Sequence, residues 1–309
     1  MPSAFFSHPD CLRHLTDAGH PECPERLQAI DDQMIAARLE TWWLPQSAPL
    51  ADRDSLLRAH DAAYLDGLAQ RIAMLDGAVA SLDGETVVSA GSWQAALRAA
   101  GAALAATDAV IDGDFDSAFC SVRPPGHHAT RDRAMGFCLI NNVAVAALHA
   151  LDVRGLQRVA VVDFDVHHGN GTESIFAGDS RVLMCSTFRH PFYPYCGVPA
   201  AAENIVNAPL AAGADGQAFR EAVQTHWLPR LHAFAPEMVF VSAGFDAHRE
   251  DDMGGLALVE ADYAWVTDEI RKLAAHHAQG RIVSVLEGGY AFSALGRSVV
   301  AHLRAMANL

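Results

Sequence analysis

The chain has 309 residues, of which 51% are hydrophobic and 19% charged. That balance excludes a disordered chain and leaves enough apolar material for a large core. A net charge of −15 disfavours nucleic acid and attracts cations, and no run reaches the ~20 uninterrupted apolar residues that span a bilayer.

The first six residues, Met1 to Phe6, lack a basic segment followed by a long apolar run, so they do not read as a signal peptide. The expected location is cytoplasmic, with no membrane partner. Cys11, Cys23, Cys120, Cys138, Cys185 and Cys196 are scattered without a C-x-x-C pair and read as reduced core residues. No repeat or linker divides the sequence, which is read as one domain over 1–309.

In chain order, Ser92 caps an Ala- and Leu-rich helix through Val110. Apolar runs from Ala118 to Val122, Val159 to Val162 and Val182 to Cys185 read as buried parallel strands. Asp215 caps a helix that runs into Leu228, where Pro229 kinks or ends it. A strand from Met238 to Ser242, a helix from Glu260 to His276, a strand from Ile282 to Leu286 and a helix from Ser293 to Ala307 complete the series. Strands alternating with helices predict an α/β fold with a mainly parallel sheet.

Ligands of such sheets bind beyond the carboxyl ends of the strands, and the polar motifs lie there. Arg123-Pro-Pro-Gly-His127-His128 follows the first of these strands and Asp163-Phe-Asp165-Val-His167-His168-Gly-Asn170 the second. Ser186-Thr187, Gly244-Phe-Asp246 and Glu287-Gly-Gly-Tyr290 end the other three. Asp165 and His167, two apart in an extended segment, face the same side and can reach one ion. Carboxylate and imidazole are zinc ligands, and Asp246 is the best-placed third. Three protein ligands leave a coordination position open, the catalytic pattern. His127-His128 suits proton transfer to and from water and a leaving amine, and Asp163 can fix one imidazole. Gly288 and Gly289 bring the backbone close to a ligand and deliver the Tyr290 hydroxyl to a developing oxyanion. Standing alone, the Asp-x-His triplet would read as a surface or capping feature and the Tyr as half-buried in a turn. Convergence on one rim favours chemistry.

These motifs, RPPGHH, GFCLINN, DFDVHHGNGT, SAGFDAH and LEGGY, resemble the zinc-dependent histone deacetylase family in its class II and bacterial branch, and the likeness runs from His20-Pro21-Glu22 to the last helix. The resemblance implies an arginase/deacetylase fold with eight parallel strands flanked by helices, and one catalytic Zn2+ on Asp165, His167 and Asp246. It implies His128 as the main general base and acid, His127 with Asp163 as its electrostatic partner, and Tyr290 as the group that polarises the carbonyl. Gly136, Phe137 and Tyr193 would form the tunnel for an acyl-lysine stem, and Arg26 would lie at an inner channel for the acid product. A structural K+ would be held by main-chain oxygens of Asp163, Asp165, His167 and Thr187 with the Ser186 hydroxyl. A second monovalent site would lie near Phe176, Asp179, Val182 and Asn204. Asn170 stands where class I members carry an acid, so His128 is held less strongly as a cation.

Three activities follow: deacylation of lysine in proteins or peptides, hydrolysis of acetylpolyamines or other small acylated amines, and two-metal ureohydrolysis of the arginase type. The last needs a second carboxylate where Gly169 stands, and His248 alone does not replace it. Polyamine specificity in the resembled family uses a Glu at the position of Met253, which favours the lysine substrate. Glu85 and Asp83 are expected at the tunnel rim. Assembly into a homo-oligomer is left open.

Overall fold

Short β-branched runs closed by polar turns become strands buried on both faces. In the computed structural model, which describes residues 2–309, the chain runs through β1 (Ser3–Ser7), α1 (Glu25–Ala36), β2 (Trp43–Ser47), α2 (Arg53–Ala59) and α3 (Ala62–Ala73). A two-residue hairpin, β3 (Ala80–Ser81) and β4 (Val87–Val88), precedes α4 (Ser92–Ile111), β5 (Ser117–Cys120), α5 (Asn142–Asp152) and β6 (Val159–Asp163). Then come α6 (Asn170–Phe176), β7 (Val182–Arg189), β8 (Ile205–Leu210), α7 (Gly216–Ala222) and α8 (Leu228–Phe234). The last elements are β9 (Met238–Ala243), α9 (Glu260–His277), β10 (Ile282–Leu286) and α10 (Phe292–Met306).

Eight strands form one sheet in the order β2-β1-β5-β10-β9-β6-β7-β8, with every pairing parallel. The arrangement is the arginase/deacetylase α/β fold. β5, β6, β9 and β10 are buried throughout. Helices α4 and α5 pack on one another and on these strands, while α1, α9 and α10 pack together. Because the strands are parallel, their carboxyl ends share one edge. Register aligns Asp163 of β6 with Ser186 of β7 and Ser242 of β9. The five motifs therefore leave neighbouring strands at the same level.

Of the six cysteines expected in the core, Cys196 is exposed and Cys23 half-buried, because both lie on connecting segments. Of three local helix readings, one holds and two are refined. Ser92 is the first residue of α4 and not its cap. Its Oγ pairs with His14 Nδ1 at 2.7 Å and accepts from Ser89 N–H at 2.7 Å. Asp215 does cap α7, accepting from the N–H groups of Gln217 and Ala218. Pro229 does not end the helical run: a π-helical stretch, Val223–Trp227, leads into α8, and the proline sits at its start.

Phe240 lies at the centre of the sheet, fully buried and opposite Val161 and Val283. Phe240→Ala is expected to lower stability by about 3–5 kcal/mol, read as a shifted urea unfolding midpoint. A loss under about 1 kcal/mol would contradict a close-packed centre.

Candidate active site

The floor of the site is made by the turns after β6 and β9. The N–H of His167 donates to Asp165 Oδ1 at 2.9 Å, Val166 N–H to Asp246 Oδ1 at 2.9 Å, and Gly288 N–H to Asp165 Oδ2 at 2.8 Å. These bonds fix both carboxylates against the backbone. His167 Nδ1 then lies 3.1 Å from Asp165 Oδ1 and 3.2 Å from Asp246 Oδ2. Asp246 Oδ2 is buried and makes no hydrogen bond. Gly288 is required here, since a Cβ would lie 2.1 Å from Asp246 Oδ2 and 2.6 Å from Asp165 Oδ2. Burial, with the neighbouring Asp165, pushes the Asp246 carboxyl up to about 6.

His127 and His128 follow β5. His127 Nδ1 lies 3.0 Å from Asp163 Oδ2 and so donates to it. The Asp163 carboxylate is itself held by Asp165 N–H at 3.1 Å. His128 Nδ1 donates to Asn170 Oδ1 at 2.7 Å, which leaves Nε2 as its free nitrogen. The two rings are 4.0 Å apart. Burial opposes a charge on His127, but Asp165 and Asp163 outweigh it and push the imidazole up to about 10. For His128 burial dominates, reinforced by His127 and His167, and holds the imidazole well below its ordinary value. One histidine of the pair is thus a cation and the other a neutral base.

Above this floor opens a pocket of about 560 Å³ lined by His128, Gly136, Phe137, His167, Tyr193, Met253 and Tyr290. Phe192 stacks on the His167 ring at 16° and 5.4 Å, and Tyr193 stands edge-on to His128 at 5.4 Å. Phe137 closes the far wall, edge-on to Tyr290 at 6.0 Å. Gly136 has a φ of +55°, and a Cβ there would lie 2.3 Å from the His128 ring. Burial, together with Asp246, raises the Tyr290 phenol well above its ordinary value, so it remains a donor.

A sequence model described as the histone deacetylase domain matches residues 20–306. The chain belongs to the histone deacetylase family. It is 40% identical over 299 residues to an uncharacterised protein of Synechocystis sp., covering 95% of each chain. It is 39% identical to the histone deacetylase-like amidohydrolase of Pseudomonas aeruginosa, over 88% of this chain and 73% of that one. The crystal structure of the HDA15 HD domain superposes with a TM-score of 0.93 at 33% identity, covering 99% of this chain and 88% of the other. The family is one of deacetylase and amidohydrolase enzymes.

This family member keeps a second polar cluster beneath the pocket. Arg26, fully buried, donates from Nε to Gly289 O at 2.6 Å, from Nη2 to Glu287 O at 2.5 Å and from Nη1 to Glu22 Oε1 at 3.1 Å. Its guanidinium stands 5.0 Å over the Tyr290 ring. Glu22 also binds Arg123, through Nε and through Nη2 at 2.7 Å. Burial would raise the Glu22 carboxyl, but Arg123 and His14 hold it well below its ordinary value.

The residues present can be tested against the expected cations. Bonds of ~2.0–2.1 Å to a tetrahedral zinc separate its ligand atoms by roughly 3.3 Å. The Asp165, His167 and Asp246 donors approach that spacing, and the unpartnered Asp246 oxygen asks for a cation, so Zn2+ fits. Ser186 Oγ, buried and also without a partner, fits a K+ beside β6 and β7. The second monovalent site does not fit. The main-chain oxygens of Phe176, Asp179 and Val182 converge on Asn204 Nδ2 at 2.8, 3.1 and 3.0 Å. Asn204 Oδ1 is fixed by Gly178 N–H at 2.9 Å, so the amide stands where an ion would. A further group, His127, Cys138 and Glu287, also converges, but Glu287 already accepts from Gly126, His127 and Ser242. His248 Nε2 faces Glu260 at 3.6 Å and not the Asp246 cluster.

The structure brings every expected catalytic, metal, tunnel and channel residue to this one region. Sequence reasoning missed Phe192, and also Asp17, His20 and Tyr195, which line the pocket with Glu85. The adjacent aromatics Phe192-Tyr193 were the available signal for the first. Asp83 turns instead to its own loop, accepting from the N–H groups of Glu85 and Thr86.

A depressed carboxyl contributes stability above its unfolded pKa, ordinarily 4.5, and loses it as pH falls through the folded value. Glu22→Gln is therefore expected to destabilise the protein by about 3–5 kcal/mol at neutral pH. The gap from wild type should close only on acidification below 4.5. Urea midpoints across that range check this, and a gap independent of pH would contradict it.

Proposed function

We propose that this chain is a zinc-dependent amidohydrolase that removes acyl groups from the side-chain amine of lysine in proteins or peptides, acting as one catalytic domain over residues 1–309. The observation that carries the reading is the Asp165-His167-Asp246 group, with its unpartnered carboxylate oxygen, at the bottom of an aromatic pocket beside a differently charged histidine pair. Phe137, Phe192 and Tyr193 suit the apolar stem of an acyl-lysine. The free thiols suit a reducing, cytoplasmic setting, and no helix among the described residues is long and apolar enough to cross a membrane.

Asp165, His167 and Asp246 would hold the zinc, which would supply Lewis-acid polarisation of the acyl carbonyl and a more acidic water. His128, with Nδ1 committed to Asn170, takes the proton of the attacking water on Nε2 and returns it to the departing amine. His127, held as a cation by Asp163 and Asp165, stabilises the negative charge that develops beside it. Tyr290 donates its phenolic hydrogen to the acyl oxygen as that oxygen becomes anionic. Arg26 and its cluster offer the released carboxylate a buried cation. One K+ would be held by the Ser186 hydroxyl with main-chain oxygens of Asp163, Asp165, His167 and Thr187, while the Asn204 amide would take the place of a second.

Asp17 and Glu85 at the mouth, with no Lys or Arg in the pocket lining, favour cationic substrates and keep small acylated amines as the second reading. Turnover of an acetyl-lysine peptide against acetylspermidine separates the two, and much faster hydrolysis of the polyamine would reverse the choice. His128→Ala is expected to lower kcat by about 10²–10⁴-fold and Asp165→Ala to abolish both zinc retention and turnover. A metal-free protein that is fully active refutes the mechanism. Binding of Tl+ as a K+ substitute should reach one ion per chain, and two would show that Asn204 yields its place.

A further inference from the structure

Asp251 is a buried carboxylate with no cationic partner among the described ion pairs. It lies in the turn that follows Asp246, anchored by its own N–H to His248 O at 2.9 Å. All of its side-chain bonds go to backbone amides. Oδ2 accepts from Tyr290 N–H at 2.6 Å and from Ala291 N–H at 3.0 Å, and Oδ1 accepts from Met253 N–H at 3.0 Å. One side chain therefore ties the turn carrying Asp246 and Met253 to the loop carrying Tyr290.

That loop needs such a tie. Gly289 has a φ of +123°, a conformation open to glycine and to few other residues, so the chain before Tyr290 is intrinsically free to swing. The Tyr290 ring touches Arg26 and Phe137 only by its faces and edges. Upstream, Arg26 holds Gly289 O and Asp165 holds Gly288 N–H. At Tyr290 itself the only backbone anchor among the described residues is Asp251, and the next residue is gripped by the same oxygen. Two converging N–H donors on one carboxylate oxygen are charge-assisted bonds, stronger than neutral ones.

We propose that Asp251 is a positioning residue that acts through Tyr290, setting the phenol at the acyl oxygen while placing Met253 on the tunnel wall. This rests on the role given to Tyr290 above. Displacement of a catalytic group by ~1 Å costs about 10²-fold in rate. Removing the carboxylate should therefore depress kcat far more than it raises KM.

The test is a double-mutant cycle on the zinc-loaded enzyme with an acetyl-lysine peptide. Tyr290→Phe alone tests the underlying reading: a variant with full kcat sinks the role of Tyr290, and the Asp251 inference with it. If Tyr290→Phe is impaired, Asp251→Ala in the wild-type background should lose about 10–100-fold in kcat, with KM changed less than about threefold. In the Tyr290→Phe background the same substitution should cost little more, because the two act as a unit. Asp251→Asn, which can still turn its one oxygen toward Tyr290, should recover part of the loss and serves for the cycle if the Ala variant does not fold. Amide hydrogen exchange of the 287–292 segment should accelerate in Asp251→Ala while the central strands stay protected. Losses that multiply across the cycle, or unchanged exchange in 287–292, would overturn the proposal.

Discussion

The site depends on a concentration of negative charge in a place that water does not reach. Glu22, Asp163, Asp165, Asp246 and Glu287 are all essentially buried at the carboxyl edge of the sheet. Isolated buried carboxylates are unstable unless they are neutralised, hydrogen-bonded or paired. Each solution is used here. Glu22 is paired with two buried arginines. Glu287 accepts backbone N–H groups from the loop of the histidine pair, and burial pushes its carboxyl up to about 7. Asp163 is raised by burial and opposed by His127. Asp165, which burial alone would raise, is brought below its ordinary value by His127 and His167. Of these carboxylates, only Asp246 has an oxygen that accepts no hydrogen bond among the described residues, with His167 Nδ1 3.2 Å away. That pair of atoms is where a cation fits.

The same charge explains why two adjacent histidines differ. His127 faces the carboxylates and is cationic. His128 faces the neutral amide of Asn170 and the positive face of its neighbours, and is neutral. Adjacent positions after a strand point in different directions, so each ring meets a different field. An acid at position 170 would draw the second ring toward the cationic form and blur this division. Asn170 keeps a hydrogen-bond acceptor there without the charge.

Much of this could be read from the chain. The five central motifs are local in sequence, and each follows a buried strand whose apolar run is unmistakable. The edges of the sheet were harder. β2 contains Pro45 and β8 contains Pro209, and both are edge strands, where a missing N–H costs no ladder bond. Their burial is partial, so neither shows a continuous apolar run. β1 is buried but only five residues long and flanked by serines. The resemblance to a known family, rather than periodicity, supplied these three strands and so the count of eight. Likewise Asp246 is only the best-placed candidate for the third ligand until that likeness selects it. The Asp251 tie joins residues 39 and 40 positions apart, and no local pattern encodes it. Asn204 carries an amide to three carbonyls from the α6–β7 connection, a substitution invisible to spacing alone.

A division of labour follows from where the constraints lie. The reacting groups are fixed by strand ends and by backbone N–H bonds: His167 and Gly288 donate to Asp165, and Tyr290 donates its own N–H to Asp251. Their positions are overdetermined and tolerate little variation. The mouth is built differently. Asp17 and Glu85 are exposed on connecting segments, Tyr195 projects into solvent, and Asp83 spends its oxygens on its own turn. Such residues can change without disturbing the floor. Chemistry is therefore set by the buried charge and its compensation, while the choice among acylated amines rests with a negatively charged rim that leaves the hydrolytic machinery intact.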